Sequence, residues 1–271
     1  MYRLCGALFA LLWASPASAQ GSLQVRLNQS PRHQEWVKIA SGNRQLQAFL
    51  VFPEVAERAQ AVIVIHENRG LTDWVRGVAD RLAEAGYIAL APDLLSGTGP
   101  GGGGTDSFAS QDSARQAIYR LNLPQVNADL NAAADYLAKL PAADGRVAVA
   151  GFCWGGARTF GFAAERPGLR AAYVFYGTGP DSSADFSRIN CPVYGFYGGN
   201  DARVNATVPT SAEGMRAAGK VYEPVTYEGA GHGFMRAGEA TDASPADQQA
   251  RAAAWNRWLA LLAAVPGGEG H

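Results

Sequence analysis

Val147-Ala148-Val149-Ala150-Gly151-Phe152-Cys153-Trp154-Gly155-Gly156 is the stretch whose reading decides the fold. Its first four residues are apolar and either small or β-branched, which suits a strand buried in a parallel sheet. The run then breaks into Gly-x-Cys-x-Gly-Gly ahead of a helix-compatible segment, Ala157 to Glu165. This is the pattern of a nucleophile elbow, with cysteine in the position that serine usually takes. A sharp strand-to-helix turn strains the backbone, so Gly151 and Gly155 must lack a Cβ. The turn aims the sulfur outward, beside the amino end of the next helix, whose partial positive charge favours a thiolate. The competing reading is a buried structural cysteine beside a glycine-rich turn, since free cysteine is among the most buried residue types.

Strand and helix alternate around this centre. Ala61 to Ile65 is continuous and β-branched; a helical pattern from Trp74 to Ala85 is stopped by Gly86; a strand from Tyr87 to Ala91 ends at Pro92-Asp93. Helices over Gln111 to Leu121 and Gln125 to Leu140 lead into the strand at Val147. After the elbow come strands over Ala171 to Tyr176, Val193 to Tyr197 and Val221 to Tyr227, with a helix from about Thr207 to Ala218 between the last two. A final alanine-rich helix, Pro245 to Ala264, turns Trp255, Trp258 and Leu262 to the core. The alternation of Gln24 to Phe52 reads as an antiparallel entry, with strands at Val37 to Ile39 and Leu46 to Phe52 around a Ser41-Gly42-Asn43 turn. The pattern predicts an α/β fold in one domain, residues 20–271, with a mostly parallel sheet and helices on both faces. The loop of Gly97-Thr98-Gly99-Pro100 and four glycines, Gly101 to Gly104, reads as a flexible excursion or a mobile lid edge.

The chain opens with Met1-Tyr2-Arg3, an apolar run from Leu4 to Trp13 and Ala14-Ser15-Pro16-Ala17-Ser18-Ala19. A basic start, a short apolar core and a small-x-small end describe a signal peptide, residues 1–19, cleaved after Ala19. The run is too short to span a membrane, and a periplasmic or secreted protein is expected. The mature balance is 22 basic against 24 acidic side chains, because Arg3 is the only charge removed. Such a balance offers no electrostatic reason to bind nucleic acid or an anionic membrane. Cys153 and Cys191 remain. Cys191 precedes its strand whereas Cys153 follows its own, which sets them at opposite edges of a parallel sheet, too far apart for a disulfide.

In such sheets ligands meet the carboxyl ends of the strands. After the strand at Val193 comes Gly198-Gly199-Asn200-Asp201, and after the strand ending at Tyr227 comes Gly229-Ala230-Gly231-His232-Gly233-Phe234. The order Cys153, Asp201, His232 is the nucleophile, acid, base order of the α/β-hydrolase architecture. His232 would take the thiol proton and return it to the leaving group, while Asp201 fixes the imidazole tautomer. An oxyanion hole is expected from the backbone N–H of Trp154 and one N–H from the loop His66-Glu67-Asn68-Arg69-Gly70. Glu67 is unusual there, since its charge would oppose the developing oxyanion. Either it acts on Cys153 or His232, controlling when the thiolate forms, or it pairs with Arg69.

At these residues the chain resembles the dienelactone hydrolase family. The resemblance rests on His66-Glu67-Asn68-Arg69-Gly70, Pro92-Asp93-Leu94, Gly151-Phe152-Cys153-Trp154-Gly155-Gly156, Gly199-Asn200-Asp201 and Gly231-His232-Gly233-Phe234, and it spans nearly the whole mature chain. It implies hydrolysis of an unsaturated lactone through a Cys–His–Asp triad. It further implies that Glu67 accepts the thiol proton once substrate binds, that Asn68 donates an oxyanion N–H, and that two arginines hold the substrate carboxylate. Those arginines match Arg236 and Arg115, with Arg120 in reserve for the second. The export signal and the four glycines depart from what the resemblance implies and leave the substrate open. A monomer acting on a small molecule without metal or organic cofactor is expected, because histidine and cysteine do not cluster at ligand spacing. Two alternatives stay open: a broad esterase or thioesterase on the same triad, and a non-catalytic binding or thiol redox-sensing protein.

Overall fold

The computed structural model describes residues 23–180 and 182–264; the leader expected at residues 1–19 lies outside them. Eight strands form one sheet in the order β1-β2-β4-β3-β5-β6-β7-β8: β1 is Gln34–Ser41, β2 Arg44–Val51, β3 Ala59–Ile65, β4 Ile88–Pro92, β5 Ala143–Phe152, β6 Ala172–Phe175, β7 Val193–Gly198 and β8 Tyr222–Tyr227. β1 and β2 form the antiparallel entry, joined by a tight turn at Gly42-Asn43 with Ser41 facing Arg44. β2 is antiparallel to β4, and from β4 to β8 every pairing is parallel. Residues 23–28 are helical, so the entry alternation starts later than the sequence suggested. Their polar side chains answer tertiary partners, as in the bond from Arg76 to Gln24.

The period-2 geometry of β3 and β5 divides the core into two halves. Ala61, Ile63, Ile65, Val147 and Val149 face one side, against the helices Leu123–Lys139 and Trp154–Glu165. Val62, Val64, Ala148, Ala150 and Phe152 face the other, against Asp73–Glu84 and Pro245–Ala264. Trp255, Trp258 and Leu262 are buried on that second side. Both cysteine thiols are free, with Cys191 buried ahead of β7 and Cys153 beyond the end of β5.

The glycine loop is held more tightly than its composition suggests. It folds into two 3-10 turns, Pro100–Gly102 and Thr105–Ser107, and Gly99 N–H donates to Gly103 O. Asp93 accepts from Thr105 N–H and Oγ1, both at 2.7 Å, and Thr105 Oγ1 in turn accepts from Leu71 N–H. The loop is therefore tied at its neck to the chain leaving β4 and to the loop after β3, and it is not a free excursion.

Because β4 lies on one side of β3 and β5 on the other, the chain reverses its direction of travel at the β3–β5 pair. That is where a crevice opens at the carboxyl ends of the strands. Gly151, Gly155 and Gly156 let the helix Trp154–Glu165 approach the sheet there. A Cβ on Gly151 would meet the carbonyl oxygen of Gly155; one on Gly155 would lie 2.5 Å from Ile65 O, and one on Gly156 2.6 Å from Phe175 O. All of these obstacles are backbone, which cannot swing aside. Gly151→Ala is expected to cost about 3 kcal/mol or more in urea unfolding, at the upper end of overpacking penalties. Gly161→Ala, in the same helix with open space around it, should be neutral or stabilising by up to about 1 kcal/mol.

Candidate active site

Cys153 has φ 56° and ψ −114° and occupies the amino end of the helix Trp154–Glu165. A non-glycine residue in this region costs about 1–3 kcal/mol and persists only where its surroundings enforce it. Here Cys153 N–H donates to Phe175 O at 3.0 Å, and Ala157 N–H donates to Cys153 O at 3.1 Å. The thiol remains half-buried, outside the packed layers.

The loops after β7 and β8 are stitched together beside it. Asn200 donates from its backbone N–H to Ala230 O and from its amide to Gly229 O, each at 2.9 Å. Gly198 packs against the carbonyls of Ala230 and Gly231 with no room for a side chain. This brings Asp201 and His232 face to face: His232 Nδ1 lies 2.5 Å from Asp201 Oδ2, and His232 Nε2 lies 3.1 Å from Cys153 Sγ. The other oxygen of Asp201 accepts from Val204 N–H at the start of the helix Ala202–Asn205. An ionised carboxylate only accepts, so Nδ1 carries a proton and Nε2 is left to exchange one with the sulfur. The hydrogen bond to Cys153 raises the His232 pKa; burial opposes it and Asp201 adds to it, and the outcome is a value pushed up to about 9.

Glu67 is buried and takes neither partner that its sequence position suggested. Its Oε2 accepts from Arg236 Nε at 2.8 Å, so the charge is answered by Arg236 and not by Arg69, Cys153 or His232. The short helix Phe234–Ala237, which follows the His232 loop directly, delivers that arginine. Glu67 Oε1 also accepts from the Tyr176 hydroxyl at 3.4 Å. Tyr176 was not singled out in the sequence, although it directly follows β6, just ahead of Gly177. Its backbone has φ 40°, and its ring packs edge-on against His232 and Phe234. Burial holds its hydroxyl well above the usual tyrosine range, so it stays a donor to Glu67.

Arg115 lies on the helix Gln111–Ile118, which packs on Leu95 and Trp154 through Ala114 and Ile118. Its guanidinium is exposed and paired with Asp112 at 3.0 Å. Arg120 donates to Gln116 on the surface. Arg236 is therefore the arginine that the structure brings to the triad, while Arg115 and Arg120 stand off from it. The residue from this segment that reaches the loop after β3 is Tyr119, whose hydroxyl accepts from Asn68 Nδ2 at 3.2 Å. Tyr119 sits four residues after Arg115, a spacing that places the two on one helical face.

A mostly parallel sheet, an elbow at its switch point and a thiol, imidazole and carboxylate in line define an α/β-hydrolase fold. The chain belongs to the dienelactone hydrolase family, whose model matches residues 46–265. It is 31% identical over 245 residues to a Salmonella typhimurium protein provisionally named carboxymethylenebutenolidase, covering 86% of this chain and 87% of that one. A Methylorubrum extorquens protein with the same provisional name is 33% identical over 209 residues, covering 73% and 71%. A crystal structure from Klebsiella pneumoniae, provisionally named dienelactone hydrolase, superposes with a TM-score of 0.75 at 29% identity, covering 86% of this chain and 99% of that one. The chain is thus a hydrolase of the dienelactone hydrolase type.

The raised pKa of His232 carries a sign. Its folded value exceeds the ordinary 6.5, so the folded chain binds this proton more tightly than the unfolded one. The stability it contributes is complete below pH 6.5 and is lost as pH rises through about 9. In NMR titrations the His232 imidazole should titrate near pH 9, and Cys153→Ala should move the midpoint down toward 6.5. An unmoved midpoint would dissociate the shift from the sulfur.

Proposed function

We propose that this chain is an exported hydrolase that opens a small, carboxylate-bearing lactone or ester through an acyl-enzyme on Cys153. The observation that carries the reading is the continuous line from Cys153 Sγ through His232 to Asp201. The sulfur attacks the carbonyl carbon, and the oxygen takes up negative charge facing the N–H groups of Asn68 and Trp154. Collapse of this intermediate breaks the ester C–O bond, and His232, an imidazolium below about pH 9, supplies its proton to the departing oxygen. Water then attacks the thioester with His232 as base, and the thiol is restored. Asp201 keeps the imidazole in one tautomer throughout and stabilises its cation.

The pair between Glu67 and Arg236 supports the carboxylate preference. With Arg236 on Glu67, the carboxylate beside the oxyanion hole is compensated. A substrate carboxylate competes for the same guanidinium, because arginine binds carboxylates through charge-assisted and often bidentate bonds. Glu67 is thereby released to accept the Cys153 proton, which it returns to the sulfur after deacylation, so the nucleophile is armed when an anionic substrate is seated. Arg115, on a helix packed against Trp154, would have to leave Asp112 and swing toward the site to serve as the second arginine for such a substrate. The leader-like start supports export, and a monomer suffices because one chain supplies every group named.

Mass spectrometry after incubation with anionic lactones and neutral p-nitrophenyl esters tests the reaction. An acyl adduct on Cys153 is expected, with turnover abolished in Cys153→Ala; undiminished turnover in that variant would refute the nucleophile. Glu67→Gln should slow acylation by tenfold or more for anionic substrates, by the loss of one positioned base. Arg236→Lys keeps the charge near Glu67 but loses the planar fork. It should raise KM about tenfold for carboxylate-bearing substrates and leave neutral esters unchanged; equal effects on both would remove the assigned role. A preference for neutral esters in the native enzyme would favour the broad esterase reading.

A further inference from the structure

We infer that His66 is the positioning residue of the oxyanion hole: its imidazole grips the peptide that carries the Asn68 N–H and braces the ring of Trp154, whose own N–H is the other donor. The inference rests on the reading of those two N–H groups as the oxyanion donors. His66 is wholly buried at the end of β3, one residue before Glu67. Leu94 N–H donates to His66 Nε2 at 3.3 Å. A backbone N–H can only donate, so Nε2 is the bare nitrogen and Nδ1 carries the proton. Nδ1 lies 2.7 Å from Glu67 O, and it therefore donates to that carbonyl. Burial also lowers the His66 pKa, which keeps this ring neutral and the tautomer single.

The consequence follows from peptide geometry. The Glu67 C=O and the Asn68 N–H belong to one planar trans unit and point in opposite directions. Among the described residues there is no cis peptide. A hydrogen bond that fixes the carbonyl therefore fixes the direction of the N–H, on the side of the peptide facing away from His66. Among the described residues the Asn68 N–H has no protein acceptor, and the Trp154 N–H, at the first position of its helix, has no intrahelical one. The same imidazole stacks on Trp154, with ring centroids 5.6 Å apart and planes inclined by 13°. The His66 carbonyl lies against Gly155, where any Cβ would strike it. One side chain thus sets the register between the loop after β3 and the start of the helix after Cys153, the two places from which the oxyanion must be held.

The chemistry of the two nitrogens separates this role from mere packing. Asn places its terminal amide near the position of Nδ1, where its NH2 group can donate, whereas Gln places its own near Nε2, where its carbonyl oxygen can accept. His66→Asn keeps the donor to Glu67 O and loses the acceptor for Leu94; His66→Gln does the reverse. The readouts are kcat on a neutral p-nitrophenyl ester, the alkylation rate of Cys153 by iodoacetamide and the urea midpoint. Alkylation displaces iodide from an sp3 carbon and forms no oxyanion, so it reports the thiol and His232 alone.

His66→Gln is expected to lose at least tenfold in kcat with KM and the alkylation rate within twofold of native, since a missing oxyanion donor costs on the order of 100–1,000-fold and a misaimed one costs part of that. His66→Asn should recover most of this loss even though its urea midpoint is no higher than that of His66→Gln. Unchanged kcat in His66→Gln, or equal losses of kcat in both variants that track their urea midpoints, would overturn the inference while Cys153-dependent turnover in the native enzyme leaves the hydrolase reading standing. Native enzyme that alkylates at Cys153 but hydrolyses no ester would instead remove the hydrolase reading, and the role of His66 with it.

Discussion

The helix Trp154–Glu165 meets the sheet backbone to backbone, and the geometry of the site depends on that contact. With Gly151, Gly155 and Gly156 in place, the helix start lies directly on the carbonyls of Ile65, His66 and Phe175. The turn between strand and helix is then too short for an ordinary residue, and Cys153 is held at positive φ. The strain is of the order of 1–3 kcal/mol, small beside the aromatic packing that encloses the turn. Phe152 alone touches Trp74, Phe175, Tyr176 and Trp258. The thiol is presented to the crevice by rigid neighbours and not by a flexible loop.

Charge is arranged around this presented sulfur in two compensated pairs. His232 with Asp201 forms one, and Arg236 with Glu67 forms the other. Tyr176 stands between them, touching Glu67 through its hydroxyl and His232 through its ring. Removing Arg236 outright would leave the buried Glu67 carboxylate without its cation, at a cost of about 1–3 kcal/mol or more. The pairs are therefore structural as well as chemical, and the acid that seemed misplaced beside an oxyanion hole is neutralised in the resting protein.

Much of this was legible in the sequence because the physics involved is local. The strand at Val147, the glycines of the elbow and the loops ending at Asp201 and His232 each follow from hydrophobic runs broken by obligatory turn residues. Partner choice was not local. Glu67 finds Arg236, 169 positions away, in preference to Arg69 two positions away, because the His232 loop leads straight into the short helix that carries the guanidinium. Tyr176 was not legible because Ala171 to Tyr176 reads as one ordinary buried strand, whereas the strand ends at Phe175 and the positive φ of the next residue turns its ring toward the site. The glycine-rich loop misled for the opposite reason. Its composition speaks for freedom, whereas its tether is one buried carboxylate, Asp93, reaching Thr105 across 12 positions.

The helix Pro245–Ala264 places Trp258 against Phe152, Tyr173 and Phe175, so an element far along the chain from β5 seals the core directly beneath the elbow. Residues more than 100 positions apart must meet before β5 is covered on that face. A chain emerging from the ribosome can pair its early strands, but it cannot finish the layer under Cys153 until the helix Pro245–Ala264 has also been synthesised. Such long-range closure slows folding and leaves β5 exposed to solvent meanwhile. The order of synthesis thus leaves Cys153 without its native surroundings long after its own strand has been made, and a chain truncated within this helix would lose the site before it lost most of its sheet.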